Sequence, residues 1–438
     1  MMKKVMLIGN GAREHVIAET LKRSSHEVEL YAFGKALNPG IESLSEDYRV
    51  GDYMDQDEVL NYALHVDPDF VIIGPEDPID SGLADKLLEQ GYGSVAPLQA
   101  VAKLESSKSF TRELLANHDI PGNPQFKVFT SVEGIREFME ELDGQFVVKY
   151  DGLKGGKGVK VVGDHLEGIE EGYLYAVECL EGCGQVVIEE KLIGQEFSLI
   201  SFADGVSLAH MPAVQDHKRA YDGDTGPNTG GMGTYSDSNH MLPFLSEEDI
   251  ATAHAMNEAV LEALRDETGT EFKGIMYGGF IATKKGVSLI EYNCRFGDPE
   301  AMNLLPILKT DFVDVCIAII KGTLSEMEVE FENSATVCKY VVPDGYPDNP
   351  CKGDKIEVGE TPNEVNIYYG SVDKKEDGLY LSGSRAIAFV GIGETLESAE
   401  RLAAGAVNSV QGPVFYRTDI GTAEVIERKI AYMNELRG

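Results

Sequence analysis

"VVKYDGLKGGKGVKVV", residues 147–162, is the stretch whose reading decides how the chain is built. A strand carrying Lys149 runs into a loop with glycines at 152, 155, 156 and 158, and a second strand leaves it. Glycines uncover backbone N–H groups, and successive uncovered N–H groups form a concave anion site. Gly152, Gly155, Gly156 and Gly158 therefore suit phosphate oxygens, with Lys149 and Lys157 supplying positive charge. The spacing is not G-x-x-x-x-G-K-[ST] and a strand follows where a P-loop opens a helix, so the stretch reads as a hairpin lid. A plain solvent-facing hairpin rich in glycine and lysine is the alternative.

Downstream, "VIEEKLIGQEFS" (187–198) reads as a strand that breaks at residues 192–194 and resumes. Such a break between two lobes suits a purine slot, with backbone groups from Glu189 to Leu192 reading the base edge and Glu196 accepting ribose hydroxyls. An acidic strand edge is the bland alternative. In "LIEYNCRFGDPE" (289–300), alternation along a strand puts Glu291, Asn293 and Arg295 on one face. Two oxygen donors on one face suit magnesium, which takes one or two protein ligands and fills its octahedron with phosphate and water. Arg295 is suited to bidentate binding of carboxylate or phosphate, or else forms an ordinary ion pair with Glu291.

The first hundred residues alternate strand and helix, from "KKVMLIG" through "EVELYAF" and "DFVIIGPE" to "GSVAP", which is the pattern of a parallel α/β layer. Ligands of such sheets sit at the carboxyl ends of strands, where this chain carries "GNGAREH" (9–15) and "IGPEDP" (73–78). The first resembles a dinucleotide fingerprint but has Glu14 at the third glycine and Phe33 and Gly34 where the ribose-binding acid belongs. Gly9 and Gly11 are therefore expected to admit a phosphate other than the pyrophosphate of NAD, with Glu76 on sugar hydroxyls, or Gly74 and Pro75 merely turn the chain.

The predicted fold class is α/β and α+β: a small parallel α/β domain over 1–103, a glycine-punctuated domain over 104–330 with its lid at about 125–192, and a mostly antiparallel β domain over 331–438 with one helix near Thr395 to Val410. The middle region reads as short β-rich stretches with helices near Ser106, Glu247 to Arg265 and Asp311 to Lys321. The net charge of −36, from 74 acids against 38 bases, disfavours nucleic acid and anionic membranes as partners. No apolar run approaches the roughly 18 residues of a membrane span, the N-terminus is no signal peptide, and six scattered cysteines without a C-x-x-C pair read as reduced thiols, so a cytoplasmic protein is expected.

Taken in order, Lys108, the lysine strand with its glycine lid, the E-x-x-L break and the E-x-N strand resemble the ATP-grasp superfamily. "QDHKRAYDGDTGPNTGGMGTY" (215–235), with "GNGAREH", "GPEDP" and "EYNCRFGDPE", further resembles its glycinamide ribonucleotide synthetase family over nearly the whole chain. The resemblance implies ligation of glycine to 5-phosphoribosylamine through an acyl phosphate, driven by ATP, in purine biosynthesis. It implies ATP on Lys108, Lys149, Gly155, Gly156, Lys157, Gly158, Glu189, Leu192 and Glu196, and Mg2+ or Mn2+ on Glu291 and Asn293. It implies phosphoribosylamine on Gly9, Asn10, Gly11, Arg13, Glu14 and Glu76, and catalytic work for Arg295 and Lys149 with Asp216, His217 and Lys218. Small molecules are the expected partners, in a monomer or weak homo-oligomer. Rival readings are a sibling ATP-grasp carboxylase and a non-catalytic nucleotide-binding regulator. Ala12 and Lys154 depart from the family's usual loops, and "YGGFIAT" offers no second metal ligand on the strand before Glu291.

Overall fold

The computed structural model describes residues 2–155 and 157–438, so Gly156 lies outside the described residues. The N-terminal run forms the strand Met2–Ile8, the middle of a five-stranded parallel sheet in the order Asp47–Val50, Glu27–Gly34, Met2–Ile8, Phe70–Ile73, Ser94–Val95. Val5, Met6, Leu7 and Ile8 are fully buried, as a parallel strand covered on both faces requires. Strand order reverses at this strand, and the crevice at such a switch point opens between the loops after Ile8 and Ile73. The two loops are tied together by the Gly74 N–H donating to the Ile8 carbonyl at 2.9 Å.

The lid is an antiparallel sheet ordered Phe126–Phe129, Val186–Glu190, Phe146–Tyr150, Val159–Val161. Phe146, Val148, Val186 and Ile188 turn to the helices Ile135–Glu141 and Ile169–Cys183, and the alternate residues Lys149 and Glu189 turn the other way. The long helix was not expected, because Gly168, Gly172, Gly182 and Gly184 punctuate it like a loop. Gly172 instead serves packing: a Cβ there would lie 2.4 Å from the Phe146 ring.

Facing the lid is a second antiparallel sheet, Leu208–His210, Gly194–Asp204, Lys273–Thr283, Gly286–Asn293, backed by the helix Glu247–Thr268. Its last pair carries a register shift: Gly279 faces Glu291 while Phe280 faces Leu289, so Ile290 is the extra residue of a bulge. The bulge precedes Glu291, which leaves the alternation from Glu291 to Asn293 intact.

A third antiparallel sheet joins Gln215–Asp216 and Gly233–Ser236 to Ala335–Pro343, Ile387–Gly393 and Val365–Tyr369, so it spans residues on both sides of 330. The helix Leu396–Val407 packs closely on it, since a Cβ on Gly391 would meet the Ala399 carbonyl at 2.0 Å. A further helix, Ala423–Arg437, went unread because Lys429 interrupts its buried stripe of Val425, Ile426 and Met433. His15 of the helix Ala12–Lys22 and Asn38, which caps the helix Pro39–Leu44, clamp onto the third sheet. The Tyr369 N–H donates to His15 Nδ1 at 3.0 Å, and Asn38 Nδ2 donates to the Tyr369 carbonyl at 2.6 Å. All six cysteines are free, and among the described residues no helix is long and apolar enough to cross a membrane.

Candidate active site

The cleft between lid and central sheet is organised around Glu189. Its carboxylate accepts Arg112 Nε at 2.6 Å and Arg112 Nη2 at 2.9 Å, and pairs with Lys149 Nζ at 2.8 Å. Arg112, Lys149 and Glu189 are all nearly fully buried. The guanidinium and ammonium outweigh the burial that pushes Glu189 up, and hold its carboxyl below the ordinary range. Burial pulls the Lys149 ammonium below its ordinary value despite Glu189. The Ile290 carbonyl, turned inward at the bulge, accepts from both Lys149 and Arg112 at 2.8 Å. Lys149 thus spends two of its three N–H donors on protein and has one left for a ligand.

The other lysine, Lys108, opens the helix Lys108–Asn117 and donates to the Gly152 carbonyl at 3.0 Å and the Glu105 carbonyl at 3.3 Å, tying the root of the glycine loop to the cleft floor. Asp151 beside it accepts Ser109 Oγ at 2.5 Å. Gly155 has φ +54° with open space around it, and Gly155 and Lys157 are exposed, whereas Gly158 is buried against Lys154 and Tyr150. The additional Lys154 lies over the Tyr150 ring at 4.3 Å. Beyond the lid, the N–H groups of Glu190 and Lys191 donate to Gln125 and Gln145 at 2.9 and 3.0 Å, and the Leu192 N–H has no acceptor among the described residues. Glu196 is exposed and pairs with Lys218 at 3.0 Å, an ion pair that a ribose would have to share.

Glu291 lines a small pocket with Ser198, Asp216, Lys218, Tyr277 and Ile290. Burial pushes its carboxyl up, but Lys218, Lys108, Lys149 and Arg295 together bring it below its ordinary value, so it is an anion. Opposite it stands Gly279, where an added Cβ would already press the Glu291 carbonyl at 3.3 Å, so the facing strand supplies no ligand there. Asn293 Oδ1 accepts Arg295 Nη2 at 3.2 Å and keeps a second lone pair. An ionised carboxylate without an ion-pair partner among the described residues, followed by an amide oxygen on the same face, fits a hard divalent cation.

Arg295 joins this strand to the first domain through Glu76 at 3.4 Å and Glu105 at 3.2 Å. Burial alone would raise the Glu76 carboxyl, but Arg295 and Arg13 bring it down to about 2. In the "GNGAREH" loop, Glu14 accepts the Gly11 N–H and Arg13 Nε, both at 2.6 Å. Cβ atoms on Gly9, Gly11 and Gly74 would lie 2.5, 2.9 and 2.1 Å from Glu14 side-chain atoms. Part of the space those glycines leave, expected to admit a phosphate, is therefore taken by the Glu14 side chain. Arg13 remains at the crevice, donating to the Phe296 carbonyl at 3.2 Å and lying 4.0 Å from Glu76. Asn10 shapes the loop by accepting the Lys35 N–H at 3.1 Å.

Of the three loop residues expected at the chemistry, Asp216 and Lys218 reach the pocket and His217 does not. Alternation turns the His217 ring to the opposite side, where it is 1% exposed and Nε2 lies 3.2 Å from Lys429 Nζ. Burial, with Lys429 and Arg417 beside it, holds the imidazole well below its ordinary value. His217 as a catalytic group is corrected accordingly: it is a neutral core histidine.

Several cleft residues escaped the sequence reading. Arg112 sits in an unremarkable amphipathic helix, and Glu105 gives no signal beyond the end of the helix Gln99–Ser106. Arg385 donates to the carbonyls of Gly230, Gly231 and Asp298 at 2.5, 3.1 and 2.8 Å, binding "NTGGMG" to "FGDPE" from a third segment. Tyr277 and Glu300 bond each other at 2.9 Å. Glu300 stood inside the quoted "GDPE", and its position after a Gly-x-Pro turn was the available signal.

Family models described as phosphoribosylglycinamide synthetase match three consecutive parts of the chain: the N domain at residues 3–105, the ATP-grasp (A) domain at 106–301 and the C domain at 336–423. The chain is 47% identical over 438 residues to the phosphoribosylamine–glycine ligase of Methanosarcina acetivorans, covering 100% of this chain and 99% of that one. It is 48% identical over 444 residues to the ligase of the same name from Methanocaldococcus jannaschii, covering 99% and 100%. Among solved structures, the phosphoribosylamine–glycine ligase of Thermotoga maritima superposes with a TM-score of 0.80 at 29% identity, covering 95% of this chain and 99% of that one. A biotin carboxylase from Campylobacter jejuni has a TM-score of 0.73 at 12% identity, covering 99% and 95%, which is a likeness of fold alone. By these matches along its whole length, the chain belongs to the phosphoribosylglycinamide synthetase family.

Proposed function

We propose that this cleft joins glycine to 5-phosphoribosylamine at the expense of ATP, giving glycinamide ribonucleotide, ADP and phosphate for purine biosynthesis. The observation that carries the reading is the convergence on one cleft of the lid lysines, the Glu291–Asn293 strand and, through Arg295, the crevice of the first domain. In the first step a glycine carboxylate oxygen attacks the γ-phosphorus of ATP and the bond to the β-phosphate oxygen breaks, giving glycyl phosphate and ADP. Two anions meet here, so charge neutralisation is the main demand, and the spare donors of Lys149 and Lys108 with the N–H groups of Gly155 and Gly158 meet it. Glu291 and Asn293 would hold the divalent metal of the family, for which we propose magnesium with manganese as substitute. The bound ion supplies Lewis-acid neutralisation of the phosphates.

In the second step the phosphoribosylamine nitrogen attacks the glycyl carbonyl carbon, the carbon–oxygen bond to phosphate breaks and the nitrogen loses a proton. Phosphate leaves where a bare carboxylate oxygen would not. Arg13 and Glu76 are proposed to bind the ribose phosphate end, with Arg295 aligning the two half-sites. The lid keeps water from the acyl phosphate. The family's domain descriptions support divisions near residues 105 and 335, and we propose a cytoplasmic monomer or weak homo-oligomer acting on small molecules. ADP release with ATP, magnesium, glycine and phosphoribosylamine, omitting each in turn, tests the reading. ADP formed only in the complete mixture supports it, and turnover independent of glycine overturns it.

A further inference from the structure

Glycine reaches the site as a zwitterion, so a site that binds its carboxylate beside ATP must also receive an ammonium. The cleft is crowded with cations, and most of its acids already serve them. Glu189 is taken by Arg112 and Lys149, Glu196 by Lys218, Glu76 and Glu105 by Arg295, and Asp298 by Arg385. Glu291 belongs to the metal. Apart from Asp151, which Ser107, Ser109 and Gln185 hold at the root of the glycine loop, two carboxylates are left over, Asp216 and Glu300: among the described residues neither has a lysine, arginine or histidine nitrogen within 4.0 Å.

Both are held in place by groups that orient without neutralising. Glu300 is 3% exposed, and its Oε1 accepts the hydroxyls of Tyr277 at 2.9 Å and Ser198 at 3.1 Å, both of which line the Glu291 pocket. Its Oε2 has no hydrogen-bond donor among the described residues and rests against Gly297, where an added Cβ would lie 2.2 Å away. Asp216 lines the same pocket, and its Oδ1 accepts the His217 N–H at 2.7 Å. Gly231 sits between Asp216 and the residue before Glu300, since its Cβ would be 2.6 Å from Asp216 Oδ1 and 2.7 Å from Pro299 Cδ. A buried carboxylate without a counter-charge is unfavourable unless a cationic ligand completes it. Burial and the neighbouring Glu300 push the Asp216 carboxyl well above its ordinary value, by more than Lys218 and Arg385 bring it down.

Resting on the ligase reading above, we infer that Glu300, with Asp216, is the receptor for the ammonium group of the amino-acid substrate and sets its selection over a simple carboxylic acid. Tyr277 and Ser198 are positioning residues that aim the Glu300 carboxylate. Phosphoribosylamine does not need this pair, because a glycosylamine attacks as the neutral amine.

The test is ADP formation by the full chain with ATP, magnesium and phosphoribosylamine at saturation, using glycine or acetate as the carboxylate. Wild type should favour glycine over acetate by about 10⁴-fold or more in kcat/KM, the scale expected when a buried polar group is left unpaired by the wrong substrate. Glu300→Gln should raise the KM for glycine about 10-fold or more, leave that for ATP within about 2-fold, and shrink the glycine-to-acetate preference by a similar factor. Asp216→Asn supplies the same ratios should Glu300→Gln fail to fold by circular dichroism. A preference retained in a folded variant, or KM values for glycine and ATP rising together, overturns the inference while the ligase reading stands. A wild type that consumes ATP without regard to glycine instead removes the reading on which the inference rests.

Discussion

Replacing Glu189 by glutamine tests how the phosphate-side lysine is held. The wild-type carboxylate makes three short contacts, at 2.6, 2.9 and 2.8 Å, to two cations, and all three side chains are at most 5% exposed. Without the negative charge, Arg112 and Lys149 face each other in a buried space with one amide between them. Breaking a buried pair from one side costs about 3–5 kcal/mol, and glutamine keeps one acceptor, so a loss of about 3 kcal/mol is expected. That is about two powers of ten in the folding equilibrium. Lys149→Met is the control: it leaves Glu189 bidentate on Arg112 and removes an ammonium that burial already disfavours, so its loss should stay under about 1 kcal/mol. The chain has no tryptophan, so urea unfolding is followed by far-ultraviolet circular dichroism, comparing midpoints at unchanged slope. Equal losses for the two variants, or a loss under about 1 kcal/mol for Glu189→Gln, would refute the assignment of Glu189 as the anchor.

Glu291→Ala should abolish ADP formation while leaving the circular dichroism spectrum unchanged, and turnover within about 3-fold of wild type would remove the metal assignment. Arg13→Ala should raise the KM for phosphoribosylamine about 10-fold or more and that for ATP little, which initial rates with each substrate varied will read. His15 is depressed by burial from 6.5 to about 4, so between those values the unfolded chain binds more protons than the folded one. Its contribution is present above pH 6.5 and lost as pH falls toward 4, by about 3 kcal/mol in all. His15→Asn should flatten this acid loss in unfolding midpoints taken at pH 7 and 4.5, and an unchanged pH dependence would contradict it.

What was legible in the sequence is what strand alternation and glycine spacing encode locally. Glu291 and Asn293 share a face because the bulge at Ile290 falls before them, and a shift one residue later would have undone the reading, while Arg295, past the strand's end, is tied to the same side by its 3.2 Å bond to Asn293. The parallel first layer followed from its alternating elements and put the loops after Ile8 and Ile73 on one crevice, whereas the strand order that makes it a switch point was not written in the pattern. The same alternation carries His217 away from Asp216 and Lys218, although their shared loop made all three look equivalent. What was not legible depends on packing across long separations. Arg112 meets Glu189 from 77 residues away, and Arg385 gathers two loops that lie 155 and 87 residues before it. The strand Gly233–Ser236 pairs with Ala335–Pro343, a partnership that no local pattern in either segment announces. The glycines of "GNGAREH" were read as room for a ligand, whereas part of that room belongs to Glu14, three residues along the same helix turn.

The central claim is that glycine is activated as an acyl phosphate before the amide forms. The most direct test is turnover with glycine labelled by oxygen-18 in both carboxylate oxygens, followed by mass spectrometry of the phosphate and the amide product. The account predicts one labelled oxygen in each released phosphate and one retained in the amide carbonyl. Unlabelled phosphate alongside amide product would contradict it.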